Sequence, residues 1–434
     1  MKKTLIRGRL LTFLAEPRAV DDHGSYVYEG DGALLVEDGV IVASGAYAEI
    51  APDAGGAKTI DHRPHLLLPG FVDAHAHFPQ MQVIASFGTE LLDWLNTYTF
   101  PAETRFSDPA HAARIAGLYL DELASHGTTT AAVYCTVHPE SAEALFAEAE
   151  RRNMCMIAGK VMMDRNAPEA LTDTAQTSYD DTKALIARWH GKGRLNYAIT
   201  PRFAITSSPE QMEMAQALAA EHPDLHIQTH LSENHAEIAF SQELYPDCTD
   251  YTGIYEAYGL LGATSLFGHC IHLSEREADA LSDSGSVAVF CPTSNLFLGS
   301  GLFDYQRYRR REKPLRIAAA TDVGGGTNYS MLRTMDEGYK VIALKGEKLN
   351  PLASFWQITR GNAEALSLDT RIGTLEAGTD ADLVVLDAHA TPAMRLRMET
   401  VETLAEELFV LQTLGDDRAV VETYVAGGAV KSRL

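Results

Sequence analysis

The residues best suited to chemistry in this 434-residue sequence are a His-x-His pair and three later single residues. The pair is His75 and His77, which end an apolar run, and the later residues are His230, His269 and Asp322. Because side chains alternate along a strand, both histidines of the pair face one side and can bind the same ion. Three histidines and one carboxylate suit Zn²⁺ or Fe²⁺ with a position left for water. We therefore predict a metal site that activates water near neutral pH.

Four further residues fit chemistry on a planar ring. Glu233 lies three residues past His230, where a carboxyl group shielded from water can pass protons between water and substrate. Arg202 and Phe203 combine a planar fork of donors with a flat apolar face, which suits a heterocycle bearing carbonyl acceptors. Gln80 adds an amide that donates and accepts at once. Together they predict a pocket for a polar aromatic ring.

Each of these residues also has a structural interpretation. A His-x-His pair can be satisfied by hydrogen bonds near a strand end, and Asp322 can cap the glycine-rich turn that follows it. Glu233 can be a solvated residue at a helix start, and Arg202 can form a surface ion pair. Trp94 is interpreted more readily as a core residue than as a pocket wall. Lys160 is interpreted either as a structural residue or as a residue that supports the metal ligands from outside their shell. The functional interpretation of the histidines, Asp322, Glu233 and Arg202 is favoured because they all lie at or just after the ends of predicted strands.

A strand-then-helix rhythm that repeats eight times predicts an α/β fold, the (β/α)8 barrel, whose strands end at one common mouth. An open, doubly wound sheet is the alternative, because periodicity does not reveal closure. Ser208 and Ser274 are expected to cap two of the helices. The predicted strands are 66–73, 128–134, 154–162, 195–200, 225–229, 265–268, 286–290 and 315–321, and the predicted helices include 110–125, 141–152, 209–221 and 275–284.

Short β segments at both ends of the chain predict a second, smaller unit. Neither set is large enough to close a core alone, so we expect the termini to meet in one composite β-sandwich domain beside the barrel. The segments are 4–13, 33–36 and 40–44 at one end, and 382–386 and 420–425 at the other. The predicted domains are 1–65 and 376–434 for the two parts of the β domain and 66–375 for the barrel.

The formal net charge of −23 argues against nucleic acid and anionic membranes as partners. No run approaches membrane-spanning length, and the first residues lack the pattern of a signal peptide. Five scattered cysteines favour a reducing cytoplasm over a disulfide framework. The basic run at 307–313 is interpreted as a solvated surface segment.

Six stretches of this sequence, taken in order, resemble the guanine deaminases of the amidohydrolase superfamily. The His-x-His pair and the late aspartate belong to the superfamily at large, whereas 91–103 and 200–203 look specific to the guanine branch. The resemblance spans nearly the whole chain. The stretches are Pro-Gly-Phe-Val-Asp-Ala-His-Ala-His-Phe-Pro-Gln, Leu-Leu-Asp-Trp-Leu-Asn-Thr-Tyr-Thr-Phe-Pro-Ala-Glu, Thr-Pro-Arg-Phe, Thr-His-Leu-Ser-Glu-Asn, Gly-His-Cys and Thr-Asp-Val-Gly-Gly-Gly.

The resemblance implies a (β/α)8 barrel with a composite β domain, one Zn²⁺ per chain, a homodimer, and hydrolysis of guanine to xanthine and ammonia. It implies that His269 and Asp322 act on the reactive water and that Glu233 shuttles protons. The implied metal ligands are His75, His77, His230 and Asp322. The implied substrate contacts are His77, Gln80, Arg202, Phe203, His230, Glu233 and Asp322. Small departures at Ala74, Ala76 and Gly324 leave every functional group in place.

Two alternatives remain open at this stage. A sibling amidohydrolase that acts on another ring, such as a triazine or a pterin, would have the same metal site and would bind a different edge of its substrate ring. A catalytically silent barrel would typically have lost metal ligands, and here all the expected ligands are present. A binuclear hydrolase is less favoured, because the predicted fourth strand ends in Thr-Pro-Arg-Phe without the usual bridging lysine.

Overall fold

A computed structural model describes residues 3–87 and 91–431 and begins with four strands that belong to one sheet. The tight turn between the second and third strands has positive φ at both Asp38 and Gly39, as a two-residue hairpin turn requires. The predicted β segments at this end are therefore confirmed, with longer bounds. The strands are β1 (Lys3–Phe13), β2 (Tyr26–Glu37), β3 (Val40–Ala46) and β4 (Lys58–Pro69).

The next nine strands are all parallel, and eight of them form a nearly closed barrel. Its first and last strands are joined where the amide of Asp322 donates to the carbonyl oxygen of His75 at 2.9 Å, and the amide of His77 to that of Val323 at 3.1 Å. The predicted barrel is confirmed, and the open doubly wound sheet is wrong. The strands are β5 (Phe71–His77), β6 (Thr128–Tyr134), β7 (Cys155–Gly159), β8 (Val161–Met162), β9 (Leu195–Pro201), β10 (His226–Leu231), β11 (Ser265–His269), β12 (Val287–Phe290) and β13 (Arg316–Ala319).

Helices follow the barrel strands and cover them. The four predicted helices are confirmed to within two residues, and Ser208 and Ser274 cap their helices as expected. The longer helices around the barrel are Pro109–Ser125, Pro139–Arg152, Ala175–Trp189, Pro209–Glu221, His235–Leu244, Tyr251–Ala257, Glu275–Ser284, Pro292–Phe297, Tyr305–Arg309, Met331–Leu344 and Pro351–Trp356.

The chain then returns to the first sheet, so the two termini meet as predicted. The added strands are β14 (Leu383–Leu386), β15 (Val420–Val425) and β16 (Gly428–Ala429), and the helices Pro392–Met398 and Leu404–Leu414 lie between them. One continuous sheet of seven strands results, in the order β16-β15-β14-β4-β1-β2-β3. Side chains from both terminal segments share one apolar cluster, which makes the unit a composite of the two ends.

The predicted strand 66–73 is wrong as a single element, because the structure divides it at Gly70. Leu66–Pro69 pairs antiparallel with β14 in the seven-stranded sheet, and the barrel strand starts at Phe71. A Cβ on Gly70 would lie 2.3 Å from Oγ1 of Thr129, so only glycine fits at this crossing. The predicted strand 154–162 is likewise divided into β7 and β8, with Lys160 between them.

Alternating side chains carry polar residues to the mouth of the barrel. Ala318 and Ala320 belong to an apolar cluster that draws small and branched side chains from strands around the barrel. The same alternation brings Asp322, two residues further on, to the mouth.

Of the described helices, none is long and apolar enough to cross a bilayer. Arg307 and Arg311 in the basic run both pair with Glu275, and Lys313 pairs with Asp283.

Lys160 is a structural residue, as the sequence suggested. Its buried ammonium lies 2.5 Å from Oδ2 of Asp173 and donates to the carbonyl oxygen of Val161 at 3.3 Å. We expect Lys160→Ala to lower the free energy of unfolding by about 3 kcal/mol, because the largely buried carboxylate of Asp173 would lose its charged partner and keep the neutral donor Gln211. Urea denaturation measures this, with Lys183→Ala as the control that removes an exposed pair and changes little. Equal effects of the two variants would contradict the prediction.

Candidate active site

Four strand ends bring the five predicted metal-site residues to one point. His75 and His77 end β5, and His230 lies near the end of β10. His269 ends β11, and Asp322 follows β13. His269 and Asp322 have φ of 71° and 49°, a left-handed region that costs non-glycine residues energy and is typical of functional sites. The five side chains therefore converge at the mouth of the barrel.

Four donor atoms have the separations of a metal-ligand shell. Nε2 of His77 lies 3.2 Å from Nε2 of both His75 and His230. Oδ1 of Asp322 lies 3.4 Å from Nε2 of His75 and 3.5 Å from that of His77. Ligands about 2.05 Å from a tetrahedral zinc ion lie about 3.3 Å apart, so the residues fit such an ion. These groups form a site that can hold a metal.

The protonation states also fit metal binding. Burial lowers the pKa of His77 and of His230 well below the ordinary value, so both rings are neutral. Nδ1 of His230 donates to the carbonyl oxygen of Arg202 at 2.7 Å, which leaves Nε2 without a proton and free to coordinate. Burial would raise the pKa of Asp322, but contact with His75 and the charge of His269 outweigh it and hold the pKa at about 2.

Asp73 supports the shell from behind. Its carboxylate accepts hydrogen bonds from the amides of His75 at 3.3 Å and Thr321 at 3.0 Å, and from the hydroxyl of Thr321. The contact ties β5 to the residues just before Asp322, so the two ends of the ligand set are held together. Sequence reasoning gave Asp73 no role, although its place two residues before His75 is a usable signal.

A second carboxylate, Glu233, lies beside the ligand cluster. Its Oε2 lies 3.3 Å from Nε2 of His269, which in turn lies 3.9 Å from Oδ2 of Asp322. Ser300 donates to Oε1 of Glu233 at 2.8 Å, and Asn295 Oδ1 lies 2.9 Å from Nδ1 of His269. Burial raises the pKa of Glu233, so it holds a proton more readily than an exposed glutamate. The alternative of a solvated helix-start residue is wrong.

Glu237, four positions after Glu233, is a buried residue to which the sequence assigned no role in the site. Its Oε2 accepts hydrogen bonds from the backbone amides of Glu233 at 2.8 Å and Asn234 at 2.9 Å. Its Oε1 accepts one from the hydroxyl group of Tyr251 at 2.9 Å. Burial, together with the charge of Glu233, raises the pKa of Glu237 to about 7. The contacts hold the loop that carries Glu233 in place.

The predicted ring-binding residues line the same cavity. Gln80, Arg202 and Phe203 face it together with His77, His230, Glu233, His269 and Asp322. The ring of Phe203 lies 6.3 Å from that of His230, edge to face. Trp94 is a buried core residue, as favoured, and also forms a wall of the cavity, while its indole N–H donates to the carbonyl oxygen of Ser86 at 3.2 Å.

Glu103 was missed, although it lies in the 91–103 stretch. It ends the helix Phe100–Glu103, which continues the helical segments Leu91–Trp94 and Leu95–Thr99. Its carboxylate forms a salt bridge with Arg202 at 2.8 Å, and both side chains are buried. Arg202 therefore does form an ion pair, but a buried one, so the alternative of a surface ion pair is wrong.

The structure brings all nine predicted site residues together, with His75 behind His77 and the other eight on the cavity. None of the nine lies elsewhere. Their individual roles in binding and catalysis stay predictions.

The chain matches the amidohydrolase family over residues 66–430. A curated guanine deaminase of Escherichia coli K12 is 48% identical over 406 residues, which cover 93% of this chain and 92% of that protein. The solved structure of an E. coli guanine deaminase has a TM-score of 0.96 and 45% identity, covering 98% of this chain and 99% of that one. A C. acetobutylicum guanine deaminase, solved with guanine in its active site, has a TM-score of 0.87 and 29% identity over 99% of this chain and 100% of that one.

Proposed function

We infer that this chain, which belongs to the amidohydrolase family and within it to the guanine deaminases, hydrolyses guanine to xanthine and ammonia with one bound Zn²⁺. As a member it is a hydrolase that acts on C–N bonds. The observation that carries the metal site is the set of separations of 3.2 to 3.5 Å that link donor atoms of His75, His77, His230 and Asp322. The last three of these residues line the same cavity as Arg202.

Those four residues would hold the ion. Three imidazole nitrogens and one carboxylate oxygen suit Zn²⁺, and Fe²⁺ fits the same donors. When bound, the ion would supply a Lewis acid that lowers the pKa of water in the site.

Two carboxylates with opposite pKa shifts divide the proton transfers. The low pKa of Asp322 keeps it ionised at neutral pH, so it accepts a proton from the attacking water. The raised pKa of Glu233 lets it donate a proton to the ring nitrogen next to C2 of guanine. His269, which contacts both carboxylates, orients the water between them.

The reaction then proceeds through a tetrahedral C2. The oxygen of water bonds to C2 and keeps one proton. Asp322 passes the proton that it took from water to the amino nitrogen, and Glu233, which gave its own proton to the ring nitrogen, takes up the proton of the C2 hydroxyl group. The C2–N bond breaks, ammonia leaves with the bonding electron pair, and C2 becomes the new carbonyl carbon of xanthine.

The polar and apolar walls would select the ring. Arg202 and Gln80 would bind O6 and the neighbouring edge of guanine, and Phe203 would cover one face. Adenine lacks the O6 acceptor and would leave a buried donor unpaired, and such mismatches discriminate strongly.

A substrate panel tests this proposal. We expect kcat/KM for guanine to exceed that for adenine by about 10⁴-fold, because the site is built to hydrogen-bond a carbonyl oxygen. Ammonia release from guanine, adenine, a pterin and an amino-triazine is measured with the same metal-loaded sample. Faster turnover of the pterin or the triazine would favour the sibling amidohydrolase, and no turnover of any of the four by metal-loaded protein would favour the silent barrel.

The proposal extends to the setting of the enzyme. A homodimer that works in the cytoplasm in purine breakdown or salvage is supported by the family resemblance, and the cytoplasm also by five cysteines that are all free thiols. Sedimentation of the purified protein at twice the mass of one chain is the result expected for the dimer.

A further inference from the structure

Glu103 is a fully buried carboxylate that the proposed reaction does not use. Its Oε1 accepts a hydrogen bond from Nε2 of Gln80 at 2.9 Å and one from Nη1 of Arg202 at 3.0 Å. Its Oε2 accepts from the same Nη1 at 2.8 Å. Gln80 and Arg202 both line the cavity. Glu103 therefore holds two polar side chains that line the cavity, although it does not line the cavity itself.

The contact with Glu103 decides which end of the Gln80 amide is left for a ligand. A carboxylate opposite an arginine accepts hydrogen bonds and donates none, so it binds the nitrogen of the amide and leaves the oxygen. That oxygen lies against Gly324, where a Cβ would come within 2.0 Å of it. Glycine at this position leaves room for the carbonyl group in this orientation.

Glu103 also fixes the direction of Arg202. Nη1 is held by both carboxylate oxygens, and the guanidinium carbon lies 5.6 Å from the centre of the Phe100 ring, which covers one face. Phe100 and Glu103 begin and end one short helix. Because the guanidinium is planar, a fixed nitrogen and a covered face set the direction of the remaining donors.

We propose that Glu103 is a positioning residue that sets the hydrogen-bonding polarity of the substrate pocket. It turns Gln80 so that an acceptor stands beside the donors of Arg202. This pattern matches a purine edge with a ring N–H next to a carbonyl, as at N1 and C6 of guanine. It opposes an edge with a bare ring nitrogen next to an amino group, as in 2,6-diaminopurine. The inference rests on the proposed function, because guanine is the ligand concerned.

The variant Glu103→Gln tests the polarity directly. Glutamine can donate as well as accept, so Gln80 could bind it in either orientation and the pocket would lose its pattern. We expect kcat/KM for guanine to fall about 100-fold, mainly through a higher KM, and the preference for guanine over 2,6-diaminopurine to fall about 30-fold. Both substrates carry the same 2-amino group, and its loss is followed by chromatography as xanthine from guanine and as 2-oxo-6-aminopurine from 2,6-diaminopurine. Loss of the 6-amino group would instead give guanine, so the two reactions of 2,6-diaminopurine are counted separately.

Two further variants separate positioning from simple stability. Glu103→Asp keeps a group that only accepts, so we expect KM for guanine to rise about 10-fold while kcat and the preference stay within about 3-fold of the wild type. Glu407→Gln weakens another largely buried pair, with Arg9 at 2.9 Å, and should leave KM and the preference unchanged. Metal content and the thermal midpoint are measured for every variant.

Wild-type preference in Glu103→Gln, or a collapse of preference in Glu103→Asp, would overturn the inference. If Glu103→Gln does not fold, Glu103→Asp decides alone, and an unchanged KM or a lost preference in that variant would overturn it. A wild-type protein that releases no xanthine from guanine would instead overturn the proposed function. The two failures are therefore distinguishable.

Discussion

Replacing Glu233 with glutamine is expected to lower kcat for guanine by about 10³-fold while the metal content stays that of the wild type. The amide has nearly the same shape and can keep the hydrogen bond from Ser300. It cannot give a proton to the ring nitrogen or take up the proton of the C2 hydroxyl group. Steady-state xanthine formation and metal per chain, measured on the same sample, check the two halves of this prediction.

The matched control is Glu277→Gln. Glu277 is buried like Glu233, but it belongs to a helix-capping box, where it accepts hydrogen bonds from the backbone amides of Thr252 and Ser274. Because it lies away from the cavity, its variant should keep kcat within about twofold of the wild type. A Glu233→Gln enzyme with near-normal kcat would remove Glu233 from the proton path.

Asp322→Asn is expected to have the other large effect, a loss of about 10⁴-fold in kcat together with weaker metal binding. The substitution removes the ionised oxygen that lies 3.4 Å from Nε2 of His75 and 3.5 Å from that of His77. It also removes the base that accepts the proton of water. Metal per chain after dialysis and the rate at saturating added zinc separate the two losses.

Asp336→Asn is the control for this variant. Asp336 is buried on the helix Met331–Leu344 and pairs with Lys340 at 2.8 Å, outside the cavity. Its variant is expected to lose stability but to retain metal and kcat. If Asp322→Asn instead kept full metal content and wild-type kcat, neither assigned role of Asp322 would survive.

Much of the fold follows from periodicity. Strands such as β6 and β15 match their predicted bounds, because apolar runs are bounded by clear helix or turn signals. The division at Gly70 does not follow, because Leu66–Pro69 and the barrel strand form one unbroken apolar run. The Pro69-Gly70 pair lies at the break, but the pairing of Leu66–Pro69 with β14 and the close approach of Thr129 to Gly70 depend on tertiary packing.

The residues of the site were likewise predictable only in part. Residues at strand ends, such as His230 and Asp322, were predictable because parallel strands of a barrel end at one mouth. Glu103 was not, because it lies on a short helix and contacts Arg202, which is 99 positions away. Ser300, which holds Glu233, lies 67 positions from it and on no strand end. Contacts of this kind follow from how loops pack over the mouth, which spacing in the sequence does not encode.

The most direct test of the central claim follows xanthine and ammonia release from guanine before and after chelation, with metal per chain measured on the same sample. We expect equal amounts of xanthine and ammonia, about one metal ion per chain, loss of activity after chelation and recovery on adding zinc. Undiminished guanine hydrolysis by protein shown to be free of metal would contradict the account.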